Sequence, residues 1–323
     1  MSPRARAAAR IAVAVLLLAA LLWWTDPRTL WQLLRSADGG WLVLGLLSAV
    51  AANVASGLRW WALARWLGAR VGARWALVMY FRGVAINAVL PGAVVGGDVY
   101  RAHALARRGL PMLEAGLSVL FDRVGGLWVL IVIGALAAAF ALAGEGAAAA
   151  LGRLGAGALV AIGPWAFAAL AVLALLVPLA VLVAWRRGAA PPGGEVAAAR
   201  WHERLVRLAH RRGAVAQYGW QVLGSAAVQV LSVGTLACAG AAVGVALPYW
   251  AWAVAAVPVF LFAALPVSFG GWGTREAAAV VALAAFGVSA SQAVAVAMLY
   301  GVAALVQAVA AVGALAGTTD RWS

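Results

Sequence analysis

The sequence has few charged residues, no lysine and a single cysteine. Only 11% of its 323 residues are charged and 66% are hydrophobic, whereas a soluble chain of this length needs a more polar surface to stay dispersed. The lone Cys238 excludes an intramolecular disulfide and a multi-cysteine metal site, so we expect it to be a packing residue. These absences favour a membrane protein.

All the basic residues are arginines. The 24 arginines outnumber ten acidic residues and give a net charge of +14. A basic chain raises the question of nucleic acid, but most of these arginines flank apolar runs, where they orient spans and contact anionic headgroups. We therefore expect membrane lipids with anionic or zwitterionic headgroups as partners, no nucleic acid, no metal and no other cofactor. A homo-oligomer is compatible with the sequence.

Long apolar runs predict the fold class. They lack the alternation of barrel strands, so they are expected to cross the bilayer as helices. The six predicted spans cover about residues 11–24, 41–57, 113–143, 158–185, 214–246 and 292–317. Two further apolar arms, about 75–90 and 250–265, end at prolines. The sequence predicts an all-α, polytopic membrane protein with about six full transmembrane helices and two re-entrant hairpins; eight full spans is the alternative.

The distribution of arginines orients these spans. Three arginines precede the first span, four lie in 58–74 and seven in 186–212, but 25–40 and 144–156 together hold only three. By the positive-inside rule the arginine-rich stretches, including the amino terminus, are cytoplasmic. This predicts a multi-pass protein of the cytoplasmic (inner) membrane, in which the first hairpin enters from the cytoplasm and the second from outside.

We interpret residues 1–323 as one transmembrane domain with two repeat-like halves of opposite orientation, an inverted repeat. Between the halves lies a basic loop, in which Trp201, Leu205 and Leu208 fall on one face of an amphipathic helix expected at the membrane interface. The parts are the N-terminal spans 1–74, the first half 75–185 with a broken helix at 90–101, the loop 186–213, and the second half 214–323 with a broken helix at 265–276.

The two broken helices follow the same order of residues. Each has Leu-Pro, then a glycine pair, then an arginine four residues after the second glycine: Leu90-Pro91, Gly96-Gly97 and Arg101, and Leu265-Pro266, Gly270-Gly271 and Arg275. Proline ends a helix and glycine permits a turn. The freed backbone groups should line a wet cavity, where the next helix's amino terminus and its arginine favour a phosphate or carboxylate. Chance repetition in a glycine-rich chain is the alternative to a transporter site.

Ionisable residues within apolar segments extend this candidate site. An isolated charge in the bilayer core costs at least about 2.5 kcal/mol, so each should find a partner or water unless it lies at headgroup level. Asp122 and Arg123 are adjacent, so they point in different directions and are poorly placed to pair with each other. No catalytic or metal-binding residue is predicted. The predicted substrate-binding residues are Asn87, Gly96, Gly97, Asp98, Arg101, Asp122, Arg123, Gly270, Gly271, Arg275 and Glu276.

These motifs resemble the transmembrane region of lysylphosphatidylglycerol synthases, the flippase part of the multiple peptide resistance factor. The matching pieces are Asn87 to Pro91 with Gly96-Gly97-Asp98, Asp122-Arg123 before Gly125-Gly126, and Leu265 to Glu276. The resemblance covers nearly the whole chain from about residue 40. It implies movement of a phospholipid between leaflets, whereas aminoacyl transfer belongs to a separate soluble domain. A stand-alone member without that domain is expected here, and the resemblance does not specify its lipid.

The leading hypothesis is a flippase or translocator for a phospholipid or glycolipid headgroup, and not an enzyme. In this hypothesis the arginines engage the lipid phosphate, and the carboxylates balance them or bind a positive group. Two alternatives are a membrane-embedded lipid-modifying transferase, with Asp98 or Asp122 as its base, and a non-catalytic partner of a lipid-synthesis complex.

Overall fold

The computed structural model describes residues 27–89, 96–144, 163–188, 201–265 and 271–316, and the regular structure in these ranges is helical throughout. The predicted first span, Leu90-Pro91 of the first break, Pro266 and Gly270 of the second break, and the centre of the basic loop lie outside the described residues. The helices within these ranges are α1 Pro27–Arg35, α2 Gly39–Trp66, α3 Ala73–Val89, α4 Gly96–Ala106, α5 Met112–Leu142, α6 Pro164–Arg187, α7 Trp201–His210, α8 Ala214–Ala242, α9 Tyr249–Ala264, α10 Thr274–Ala284 and α11 Ala290–Ala316.

Five described helices are long and apolar enough to cross a membrane, namely α2, α5, α6, α8 and α11. They correspond to the five predicted spans that fall on described residues, so the prediction of an all-α polytopic protein is confirmed. One boundary was wrong. The second span was predicted to end near Gly57, but α2 continues to Trp66, because Arg59 has a buried partner and need not mark the end of an apolar segment. The short helix α1 was not predicted.

The long helices pack around α8, which contacts α2, α5 and α11 along its length. Small residues allow the close approach: a Cβ at Gly45 of α2 would lie 3.1 Å from the Cβ of Cys238 on α8. Cys238 is buried at this contact, which agrees with the expected packing role. Trp60 and Trp252 are almost fully buried in two separate apolar clusters of the bundle.

Arginine-rich stretches meet at one end of this bundle, which we call the basic end. Arg211 donates to the carbonyl of Leu67 (3.1 Å), and the Trp66 indole donates to the carbonyl of Arg212 (3.1 Å). The Arg108 guanidinium lies 5.7 Å from the centre of the Trp75 ring. The basic end thus brings together residues from 58–74 and 186–212, two stretches predicted to be cytoplasmic, and Arg108 lies beside Trp75, just after the first of them.

Helices α3 and α4 form an antiparallel hairpin whose two outer ends lie at the basic end. Near its tip the Asn87 side chain contacts Gly97, and further out Tyr100 contacts Met79. Because Trp75 and Arg108 also meet, the chain enters and leaves this hairpin on the same side of the bundle.

Helices α9 and α10 form a second hairpin, which opens at the other end. The rings of Trp250 and Phe286 lie 5.8 Å apart near its outer ends. At this end the amide of Asp38, just before α2, donates to the carbonyl of Ala242 at the end of α8 (2.9 Å). The contact between Trp66 and Arg212 joins the opposite ends of α2 and α8. The hairpins therefore open in opposite directions. Their re-entrant position in a bilayer stays a prediction.

Candidate functional site

Asp122 of α5 is the centre of a buried ion cluster. Its Oδ1 accepts from Arg59 of α2 (Nε 3.1 Å, Nη2 2.8 Å), and its Oδ2 accepts from Arg101 of α4 (Nη1 3.0 Å). Arg59 also donates to the Asp122 carbonyl and to the Ser225 hydroxyl of α8. A buried carboxylate is stable only when such partners replace its water, so Asp122 ties α2 and α4 to α5, and Arg59 extends the link to α8.

Arg101 connects Asp122 to the amino end of α4. Its Nη2 donates to Oδ1 of Asp98 (2.8 Å), one turn earlier on the same helix. Its guanidinium lies 4.7 Å from the ring centre of Tyr80 and 5.1 Å from that of Trp60. Two carboxylates and two aromatic faces thus surround this arginine, so Arg101 is a fixed part of the bundle.

Arg123 ends the cluster on its exposed side. Its guanidinium donates to both oxygens of Asp98 (2.9 and 3.0 Å). The side chain of Arg123 is 42% exposed and that of Asp98 is 17% exposed, but those of Arg59, Arg101 and Asp122 are 3–5% exposed. The linked side chains Arg59–Asp122–Arg101–Asp98–Arg123, which we call the arginine ladder, therefore run from the protein interior to the partly exposed Arg123.

Three guanidinium groups face two carboxylates in this ladder. Asp122 and Arg123 pair with different partners, as their adjacency on the helix predicted. Arg123 lies eleven residues after Met112, or about 16 Å along α5 from the basic end. A charged side chain within an apolar span is costly in hydrocarbon, so the partly exposed Arg123 is a candidate binding residue for a charged ligand.

The first glycine pair allows the two arms of the α3–α4 hairpin to touch. A Cβ at Gly97 would lie 2.1 Å from the carbonyl oxygen of Gly83 and 2.7 Å from Oδ1 of Asn87. The Gly97 amide donates to that same Asn87 oxygen (2.8 Å). Gly97 is therefore needed for close packing rather than for a turn. Its amide was expected to face an anion, but it donates to Asn87 instead. Gly96 begins α4 beside it.

The second break places a carboxylate of the protein at the amino end of α10. Oε2 of Glu276 accepts from the Gly273 amide (2.6 Å), and Oε1 accepts from Arg275 (Nη2 2.6 Å, Nε 3.2 Å). Both side chains are almost fully buried. The anion favoured by a helix amino terminus and a nearby arginine is here supplied by Glu276.

The glycines of this second break serve the turn. Gly271 and Gly273 have φ angles of +81° and +84°, a region that other residues enter at a cost. Arg275 also lies 4.8 Å from the ring centre of Trp272. A Cβ at Gly301 of α11 would lie 2.2 Å from Arg275 Nη2, so this pair is tightly enclosed.

A comparison with protein families finds a match over nearly the whole chain. The model of the lysylphosphatidylglycerol synthase transmembrane region matches residues 9–312. The chain belongs to this family. A search of curated proteins finds no match.

In this member of the lysylphosphatidylglycerol synthase transmembrane-region family, the predicted residues fall into two groups. The arginine ladder contains Asp98, Arg101, Asp122 and Arg123, and Asn87, Gly96 and Gly97 lie at the amino end of α4 beside it. In the second half, Arg275 and Glu276 form a buried pair after Gly271, and Gly270 lies outside the described residues. Among the described residues, no group of three or more His, Cys, Asp or Glu side chains is placed to hold a metal ion.

Arg59 and Ser225 were not predicted as parts of the site. Arg59 was counted among the four arginines of 58–74 that mark the cytoplasmic side, but it is buried and paired with Asp122. One signal could have found Arg59: the sequence remains compatible with a helix as far as Trp66. Arg59 then lies about two turns before the end of the helix, where its side chain can be buried. Ser225 gave no signal, because a lone serine in an apolar run is common.

Proposed function

We propose that this chain moves lipids between leaflets and binds the lipid phosphate at Arg123. The observation that carries the proposal is the outer end of the arginine ladder, where the Arg123 side chain is 42% exposed and pairs with the Asp98 carboxylate, which is 17% exposed. A phosphate has the bidentate geometry that a guanidinium prefers, so it can take the position of Asp98 on Arg123. Membership of the family supports a lipid-related function in the membrane.

The shape of the bundle supports translocation rather than binding alone. The two hairpins open at opposite ends, a pattern typical of transporters whose site lies between repeats. In this proposal the first hairpin and Arg123 receive a headgroup from the leaflet at the basic end, which is cytoplasmic by the positive-inside rule. The headgroup then passes between the hairpins while the acyl chains stay in lipid.

The site argues against lipid-modifying catalysis. Asp98 and Asp122 were the candidate bases, yet each accepts hydrogen bonds from two arginines. Such partners favour the charged carboxylate and block its approach to a substrate hydroxyl. We therefore propose a transporter and no enzymatic activity.

The proposal is tested by lipid exchange in liposomes. The full chain is reconstituted with headgroup-labelled phosphatidylglycerol, phosphatidylethanolamine or a phosphate-free galactolipid, and loss of label from the inner leaflet is followed. We expect faster exchange than in empty vesicles for at least one phosphate-bearing lipid, and a drop of about tenfold or more in Arg123→Gln, because a hydrogen bond between charged groups is lost.

Arg187→Gln is the matched control, since Arg187 is an exposed arginine at the end of α6. It should exchange lipid at the wild-type rate. Exchange no faster than in empty vesicles for both phosphate-bearing lipids would contradict the proposal, whatever the galactolipid does, as would equal rates for Arg123→Gln and wild type.

A further inference from the structure

A cleft of about 360 Å³ lies at the basic end, away from the exposed face of Arg123. Its lining comes from α2, α5, α6, α7 and α8 and is chiefly apolar, including the side chains of Trp66, Trp128, Trp185 and Leu208. Helix α7 contributes Leu205, Leu208 and Ala209 to the lining, and Leu205 and Leu208 belong to the apolar face predicted for this helix. None of the residues that line the cleft is an acid, an arginine or a histidine.

Two glutamines of α8 are the exceptional members of this lining. Gln217 and Gln221 are four residues apart, so they lie on the same face of the helix. Gln217 Nε2 and Gln221 Oε1 are buried, and neither has a hydrogen-bond partner within the described parts of the chain. Gln221 is oriented by its other atom, because its Nε2 donates to the carbonyl of Arg59 (3.3 Å).

These two atoms form a complementary pair. Gln217 offers an N–H donor and Gln221 offers an oxygen acceptor, and leaving such groups buried without partners is unfavourable. A hydroxyl group accepts one hydrogen bond and donates another, so a single hydroxyl satisfies both. The Tyr218 hydroxyl in the same lining does not meet this need, since it donates to the carbonyl of Leu175.

We propose that the cleft binds a neutral, single-chain lipid that ends in a hydroxyl group. The hydroxyl lies between Gln217 and Gln221, and the chain lies against the tryptophans and α7. A volume of about 360 Å³ is at the small end of ligand sites, which suits one chain rather than the two of a phospholipid. The absence of charged lining residues disfavours a phosphate. This site is therefore separate from the phosphate site proposed at Arg123.

The test compares oleyl alcohol with its methyl ether, which has the same chain but no O–H donor. Binding to the full chain is measured by mass spectrometry of the intact protein in lauryldimethylamine oxide, a detergent without hydroxyl groups. We expect the alcohol to bind about tenfold more tightly than the ether. Equal binding of the two by the wild-type protein would overturn the proposal and leave a cleft filled by water or by ordinary acyl chains.

Variants assign the preference to the two amides. The double substitution Gln217→Leu with Gln221→Leu should reduce the preference for the alcohol to nearly one, whereas Gln32→Leu, at an exposed glutamine of α1, should keep it. Retention of the preference by the double variant would contradict the site. If the double variant does not fold, the single substitution Gln217→Met is used, and it should lower the preference severalfold.

Discussion

Replacing Asp122 with asparagine should destabilise the protein by about 3–5 kcal/mol, the cost of removing one partner from a buried ion pair. Three hydrogen bonds join its carboxylate to Arg59 and Arg101, and at about 1.5–3 kcal/mol each their sum is an upper bound. Two of these hydrogen bonds share Oδ1 of Asp122, and an asparagine side chain keeps one acceptor oxygen. The amide nitrogen of the asparagine must then face a guanidinium, so that two hydrogen-bond donors oppose each other. Arg101 retains Asp98, so most of the loss arises at Arg59.

The assay is unfolding of the purified protein in mixed micelles of increasing dodecyl sulfate content, followed by tryptophan fluorescence. Glu114→Gln is the control, because Glu114 lies in the first turn of the same helix and its charge contributes only about 0.3–1 kcal/mol there. In a double-mutant cycle, Arg59→Gln with Asp122→Asn should lose less than the sum of the single variants. A loss for Asp122→Asn no larger than that of the control would refute a buried ladder.

Three further predictions concern the hairpins. Gly97→Ala should destabilise the protein by about 1–3 kcal/mol in thermal unfolding, because the added Cβ meets a backbone oxygen of the facing helix. The control Gly116→Ala should be neutral or slightly stabilising, because a Cβ there has nothing within 4 Å. Glu276→Gln should cost about 3 kcal/mol in the same assay, since it leaves a buried arginine unpaired; unchanged stability would refute the enclosed pair. Single cysteines at Arg108 and Ser289 should be labelled from opposite sides of the membrane, whereas labelling from one side would favour eight full spans.

Much of the fold follows from the sequence because lipid imposes strong rules on it. Apolar length alone predicted the helices α2, α5, α6, α8 and α11. The proline and glycine breaks predicted where α4 and α10 begin, at Gly96 and Thr274. Helix α1 was missed because its nine residues carry no long apolar run and its packing depends on α11, far along the chain.

The partners within the site were harder to predict than its members. Asp122 and Arg123 were identified from their position in an apolar run, and their divergent directions follow from helix geometry. Arg59, however, lies 63 residues before its partner, and only the packing of α2 on α5 brings the two together. The two glycine pairs match in sequence but differ in use. Gly97 allows contact with Gly83, and Gly271 adopts a positive φ, a difference that local sequence does not contain.

The most direct test of the central claim compares the affinity of a short-chain phosphatidylglycerol for three proteins, the wild type, Asp98→Asn and Arg123→Gln, by titration calorimetry in micelles. If Asp98 holds the place of the lipid phosphate on Arg123, then Asp98→Asn removes a competitor and should bind the lipid more tightly, while Arg123→Gln removes the ligand and should bind it at least tenfold more weakly. Arg101 keeps Asp122 in the first variant, so the ladder stays joined. Weaker binding by both variants, or unchanged binding by Arg123→Gln, would contradict the account.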